Sequence, residues 1–354
     1  SKAKGRLGSG WRWPRQLRGS WLQAGLFLFI GIFSAVTLTD ARLTAWILVG
    51  LTILAALLSL VFERRAFCSY VCPIGGFSGI YARTAPLEVR VKEQALCVAH
   101  NEKTCYNECP WGLYPLALRD SSACGLCMEC LRVCPKDNIA LNLRPFGSDL
   151  GAPRRTARLD EAFLALVMLG SALAFSAVFT GPWGNLKMAA FRIGSIEWLA
   201  YAGGFLALNL LILPGGFALA TGLGRKLAQS RASLRQALAG QAQALLPLGL
   251  FGWIAFTISF AFPKLANVFS TLSDPFGWGW NLFGTAKVAW VVDDSGPVLI
   301  LQIAALLVGL TWSARLSLKL ADADRAHPEG WRQSVPIVCF NLLYTLGMLW
   351  LLIG

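Results

Sequence analysis

Long apolar runs alternate with short polar stretches along the 354 residues of this chain. Seven runs, at about 21–39, 43–62, 161–180, 198–221, 243–263, 296–315 and 334–353, are long enough to cross a hydrocarbon core of roughly 30 Å. Two of them carry breakers: Pro214-Gly215-Gly216 interrupts the fourth, and Pro247 lies near the start of the fifth. The longest polar gap covers residues 63–158. No repeat of 20–50 residues is visible. The pattern predicts an α-helical integral membrane protein with about seven transmembrane helices and an insert between helices 2 and 3. It divides the chain into a basic tail (1–20), two spans (21–62), the insert (63–158) and a five-helix membrane domain (159–354).

Composition agrees with this reading. Apolar residues make up 55% of the chain and charged residues 14%, against about a quarter charged in soluble domains. The start at Ser1 has neither an initiator Met nor a leader with an A-x-A cleavage site, which reads as a trimmed or processed terminus.

The net charge of +13 sorts by loop. Lys2, Lys4, Arg6, Arg12, Arg15 and Arg18 fill the tail, and Arg64, Arg65, Arg83, Arg90, Lys92, Arg119, Arg132, Arg154 and Arg155 lie in 63–158. Arg225, Lys226, Arg231 and Arg235 follow in 222–242, and Lys319, Arg325 and Arg332 in 316–333. The intervening loops are poor in Lys and Arg. The positive-inside rule then places the N-terminus, the insert and the two later basic links in the cytoplasm, with the C-terminus outside. The charge belongs to membrane topology rather than to nucleic acid, because no basic patch is interleaved with stacking aromatics.

Candidate chemistry is concentrated in the insert. Nine of the ten cysteines lie between positions 68 and 134. Cys124, Cys127, Cys130 and Cys134, followed by Pro135, spell C-x2-C-x2-C-x3-C-P. In two-cluster ferredoxins three closely spaced cysteines bind one [4Fe–4S] cubane and the fourth serves the other. Structural zinc, the rival, usually shows two separated C-x2-C knuckles. The exchange demands a second Cys-Pro, and Cys105 with Cys109-Pro110 supplies it. One cluster is therefore assigned Cys124, Cys127, Cys130 and Cys109; the other is assigned Cys134, Cys105 and two more ligands.

That second set is irregular, because Cys97 stands eight residues before Cys105. Cys68 and Cys72, in "RRAFCSYVCPIGGF" at the end of the second span, are the remaining cysteines. Nine candidates face eight positions: either one is spare or the ligation differs. His100 is a further donor, but Rieske centres use two histidines and cysteine is the better choice. Disulfides do not suit a reducing compartment. Arg64, Arg65, Arg132 and Lys136 can offset an anionic cluster, although Arg64 and Arg65 also suit a membrane anchor.

The two histidines, His100 and His327, lie outside the spans, so no bis-His b-type haem is predicted. No C-x-x-C-H, dinucleotide fingerprint or Walker A motif is present.

The segment "FCSYVCP" after a span, the Cys-rich ferredoxin-like insert and the spans beyond it resemble the NapH/NosR-type membrane polyferredoxins over about residues 60–145. The resemblance implies a multi-pass protein of the bacterial cytoplasmic membrane that oxidises quinol or relays electrons to an extracytoplasmic enzyme. Two departures stand out: the first ferredoxin half is degenerate, and five spans follow the insert where short family members have fewer. The flavin domain of NosR-type members is not seen in this sequence.

The spans hold mostly neutral polar residues: Asn209, Thr257, Ser259, Asn341 and Tyr344, expected to bond between helices. Cys339 is expected to be a small core residue. The loop 264–295, with Asp274, Trp278, Trp280 and Trp290, reads as an interfacial aromatic belt; a docking shelf or quinone mouth joined by Phe179–Asn185 is the functional alternative.

Together these readings predict a membrane-bound electron-transfer subunit with two [4Fe–4S] clusters, working between quinone or a cytoplasmic donor and a haem-, copper- or flavin-containing partner. Quinol dehydrogenase activity is within its scope. An iron–sulfur reductase for metalloenzyme maturation is the main alternative. A redox-linked transporter is disfavoured by the sparse intramembrane charge.

Overall fold

The computed structural model describes residues 10–37, 39–151, 158–181, 183–261, 265–287, 296–322 and 330–353. Lys2, Lys4, Arg6, Arg154, Arg155, Trp290, Arg325 and His327 lie outside the described residues. Six helices are long and apolar enough to cross a membrane. The first predicted span is shorter: it forms α1 (Trp21–Ile32) and α2 (Ser34–Thr37), broken at Phe33. These two helices nevertheless run the height of α8 (Leu159–Phe179). The Ser20 N–H donates to the Asp160 carboxylate at one end (2.8 Å), and Ala35 packs with Val178 at the other.

Helix α3 (Ala41–Val61) is capped by Asp40, whose carboxylate accepts from the Arg42 and Leu43 N–H groups. It buries no residue, so its all-round apolar surface is suited to lipid. Its end leads into a π-turn at Phe67–Val71 and then α4 (Pro73–Tyr81), which packs on α1 and α8. The outer insert follows: β1 (Leu87–Val91), α5 (Gln94–Ala99), α6 (Thr104–Asn107), α7 (Glu129–Arg132) and β2 (Ile139–Leu143). Strands β1 and β2 pair antiparallel, Leu87 opposite Leu143 and Val91 opposite Ile139, so the insert closes on itself.

The membrane domain continues with α9 (Gly184–Phe191), α10 (Ile196–Ala207), α11 (Leu213–Leu227), α12 (Leu234–Gln241), α13 (Leu245–Ala261), α14 (Ala266–Ser273), α15 (Pro297–Asp322) and α16 (Gly330–Ile353). Pro214 does not break the fourth span. A π-turn at Leu208–Ile212 joins α10 to α11 in one apolar helix, Ile196–Leu227. Proline lacks an N–H and crowds the preceding turn, and a wider turn just before it relieves both. The turn before Pro73 follows the same rule.

Helix α8 is the centre of the bundle, 72% buried. Gly170 lets Asn209 and Leu213 of the neighbouring helix approach; a Cβ there would overlap the Asn209 amide. The buried polar residues mostly tie helices together, as expected of Tyr344 and Asn341. Tyr344 donates to the Leu169 carbonyl (3.0 Å) and Asn341 to the Ser313 hydroxyl (2.9 Å), while Asn209 bonds within its own helix to the Phe205 carbonyl. Among the described residues no such bond accompanies Thr257 or Ser259. Cys339 is not a core residue: it is exposed. Buried Ile337, Asn341, Tyr344 and Met348 define the inward stripe of α16, and position 339 falls on the opposite face.

The basic links lie at the same end of the bundle as the insert. Buried Arg83 donates to Gln243 (2.7 Å), and Phe146 packs on Trp312. At the far end Trp183 meets Trp350. Asp274 shapes its loop rather than offering a free acid, accepting from the Trp278 and Gly279 N–H groups. Around it Phe276, Trp278 and Trp280 form an exposed aromatic cluster.

Tyr344→Phe removes the bond from α16 to α8 without opening a cavity. It is expected to cost about 0.6–1.7 kcal/mol, read as a lower thermal midpoint in detergent with an unchanged helical spectrum.

Candidate iron–sulfur site

The insert brings seven cysteines into two groups. In the first, Cys130 is pushed up to about 11 by burial and by the neighbouring Cys124, Cys109 and Cys127 thiols. Cys124 is raised by burial, with Cys127 and Cys109 adding to it. These four are the set assigned from spacing. In the second group Cys105 is raised by burial, then by Cys134 and Cys97. Cys105 thus feels Cys134, across the motif boundary, as well as Cys97. Cys68 and Cys72 form a third group. Burial raises Cys68, Cys72 adds to the shift, and Arg65 opposes it.

The two Cys-Pro corners have the same local build. After Cys109-Pro110, Gly112 turns left-handed (φ +68°) and the Leu113 N–H points at Cys109 Sγ (3.4 Å). After Cys134-Pro135, Asp137 turns left-handed (φ +47°) and the Asn138 N–H points at Cys134 Sγ (3.3 Å). Between the first three cysteines of the second motif, Leu126 and Met128 are left-handed as well. A non-glycine residue is uncommon there, and such turns direct successive N–H groups toward an anion.

These features are what a [4Fe–4S] cluster asks of its protein. Clustered thiols that resist ionisation when empty release protons to metal, and N–H donors on sulfur stabilise the anionic cluster. Among the described residues no three His, Cys, Asp or Glu side chains close around one point as a single-ion site requires. A cubane presents four separate irons, so its thiolates surround a larger volume.

Residues that spacing alone did not single out hold the groups in place. Buried Asn138 donates its amide to Cys97 Sγ (3.3 Å) and to the Glu93 carbonyl (2.7 Å), and its amide oxygen accepts from the Glu93 N–H. The repeat of a residue four positions after each Cys-Pro cysteine was its one signal. Ahead of Cys124, Asp149 accepts from the Ser121 N–H (2.8 Å) and from Arg144 (2.7 Å), while Glu88 on β1 binds Arg144 and Arg90. Burial alone would raise the Asp149 carboxyl; Arg144, the Ser121 N–H and Arg90 outweigh it and hold the carboxyl below its usual range.

The expected counter-charges are used unevenly. Arg132 is taken by Glu129, three residues earlier. Arg64 lies over the Tyr106 ring, and Arg65 over Trp111 at 5.6 Å. Lys136 is exposed.

The Cys68–Cys72 turn faces the bundle. Gln23 of α1 donates to the Cys68 and Ser69 carbonyls, and Gly75 lies against the Cys68 carbonyl, where a Cβ would not fit. Cys68 borders a cavity of about 250 Å³ with Gln23, Trp111, Ser122, Arg158 and Glu161. Trp111 spans the gap to the four-thiol group: its ring presses on Gly125, beside Cys124, and its buried Nε1–H has no hydrogen-bond partner.

Residues 44–92 match the model of a 4Fe-4S binding domain. That stretch contains Cys68 and Cys72 and ends before Cys97. The chain is similar to the methylamine utilization ferredoxin-type protein MauN of Paracoccus denitrificans, 34% identical over 61 residues (17% of this chain, 21% of the relative). It is similar to the putative electron transport protein YccM of Escherichia coli, 26% identical over 140 residues (38% and 37%). An uncharacterized protein of Methanocaldococcus jannaschii shares 32% over 76 residues (22% and 30%). The chain thus spans well under half the length of each of these relatives. No solved structure matches.

Asp149→Asn removes the charge that balances Arg144. It is expected to lower stability by about 1–3 kcal/mol at neutral pH. The native Asp149 pKa is depressed, so its contribution is present above the unfolded value of about 3.9 and lost as pH falls through the native value. The difference between wild type and variant, followed by thermal unfolding, should therefore shrink below about pH 4.

Proposed function

We propose that this chain is a membrane-bound iron–sulfur electron-transfer subunit whose insert holds two [4Fe–4S] clusters. The observation that carries the reading is the crossed grouping of thiols, Cys109 with Cys124, Cys127 and Cys130, and Cys134 with Cys97 and Cys105. When bound, each cubane supplies reversible one-electron transfer. The chain's own residues gather Cys105, Cys130 and Cys134 at a small shared core built on Val89 and Ile139, and direct N–H groups at Cys109 and Cys134. The second group needs a fourth donor, for which the sequence offers Cys68, Cys72 and His100. The 4Fe-4S domain match over residues 44–92, which contains Cys68 and Cys72, and the ferredoxin-type and electron-transport relatives support an iron–sulfur electron-transfer role. The narrower likeness to NapH/NosR-type proteins belongs to this proposal.

In this reading α1–α2 is the seventh crossing, because its ends lie level with both ends of α8. The insert and the basic links face the cytoplasm, as the loop charges favour. The cavity beside Cys68 and Trp111 is the meeting place with a quinone headgroup or a partner's cofactor, since it lies at the bundle end nearest the thiols. An acceptor beyond the roughly 30 Å hydrocarbon core then needs a further carrier, which a haem-, copper- or flavin-containing partner would bring.

The test is iron and acid-labile sulfide analysis with EPR of the dithionite-reduced, detergent-purified chain. About eight irons per chain, with two interacting low-spin signals, are expected. About four irons, or zinc in their place, would remove the two-cluster reading.

A further inference from the structure

We propose that His100 is the fourth ligand of the second cluster, completing the set Cys97, His100, Cys105 and Cys134; this rests on the two-cluster reading above. The second half of the insert reads Cys124-x2-Cys127-x2-Cys130-x3-Cys134-Pro135, and the first reads Cys97-x2-His100-x4-Cys105-x3-Cys109-Pro110. His100 stands at the step that Cys127 occupies, three residues after the first cysteine. The first half differs by this one donor and by two extra residues before Cys105. The equivalence of the halves does not rest on spacing alone. Each Cys-Pro is followed by a left-handed residue, Gly112 or Asp137, and by an N–H donated back to the cysteine sulfur. If Cys109 joins Cys124, Cys127 and Cys130, the same exchange sends Cys134 to Cys97, His100 and Cys105. Seven cysteines and one histidine then fill the eight positions of two cubanes.

The surroundings favour His100 over its rivals. It ends α5 in an extended conformation, one turn beyond buried Cys97. Its Nδ1 is buried and has no hydrogen-bond partner. A neutral imidazole carries one donor and one acceptor nitrogen, and a buried polar atom left unpaired is costly; coordination to iron supplies the missing partner. Cys68 has Cys72 and Arg65 as its charged neighbours, and its turn is held by Gln23 toward the bundle cavity. The Cys97 group is held instead by Asn138 and by the Tyr114 hydroxyl on the Cys97 carbonyl.

An imidazole in place of a thiolate leaves the cluster one negative charge lighter and raises its reduction potential, as in Rieske centres. With His100 among its ligands, the second cluster would be the higher-potential member of the pair.

The test is pulsed EPR of the reduced chain labelled with 15N-histidine, a probe that reports only His100 and His327. Wild type is expected to show the hyperfine coupling of an iron-bound nitrogen. His100→Cys is expected to keep about eight irons, lose that coupling and lower one of the two potentials. Eight irons without nitrogen coupling in wild type would overturn the assignment to His100 while leaving the two clusters intact. So would a Cys68→Ser, Cys72→Ser double variant that loses about four irons while His100→Ala loses none. Only four irons in wild type would overturn the two-cluster reading itself, and this inference with it.

Discussion

The insert depends on the convergence of its thiols. Between β1 and β2 the buried cluster consists of Val89, Cys105 and Ile139, bordered by Cys130, Cys134, Val91, Tyr114, Leu126, Met128, Leu131 and Val133. A segment of roughly 60 residues is marginal even with a full apolar core, and here three cysteines sit in or beside a small one. Burial alone does not hold such a unit closed. The paired strands and the Arg144–Asp149–Glu88 network supply part of what the apolar residues do not, and in the proposed function ligation of the thiols would supply the rest. The left-handed turns at Leu126, Met128 and Asp137 fit the same account, because strain of this kind persists only where the surroundings repay it.

The same constraint explains the junction with the membrane. The turn carrying Cys68 and Cys72 is fixed by a π-turn before Pro73, by the Gln23 amide and by the tight approach of Gly75. Trp111 belongs to the Cys109-Pro110 corner yet borders the cavity that Cys68 faces. The Cys109-Pro110 corner and the bundle therefore share side chains. A rearrangement at one would be felt at the other.

Much of this architecture was legible in the sequence, and the exceptions have physical causes. Hydropathy marked the spans because lipid demands length. It marked the fourth span across Pro214 but not how the helix continues there, since a π-turn is a backbone accommodation with no compositional mark. It also overstated the helical continuity of residues 21–39, which bend at Phe33. The grouping of Cys109 with the second motif followed from the C-x3-C-P rule and agrees with the thiols that act on Cys130. Asn138 left only its position four residues after Cys134, and Trp111 and Gln23 left no mark, because their roles depend on contacts between distant segments. Cys339 was misread because an apolar setting in sequence does not say which face of α16 turns inward.

The crossed ligation is tested most directly by comparing the EPR spectra of Cys109→Ser, Cys130→Ser and Cys134→Ser in otherwise unaltered protein. The account predicts that Cys109→Ser and Cys130→Ser alter the same signal, while Cys134→Ser alters the other and leaves the first intact. If Cys134→Ser and Cys130→Ser alter the same signal, each motif binds its own cluster and the account is contradicted.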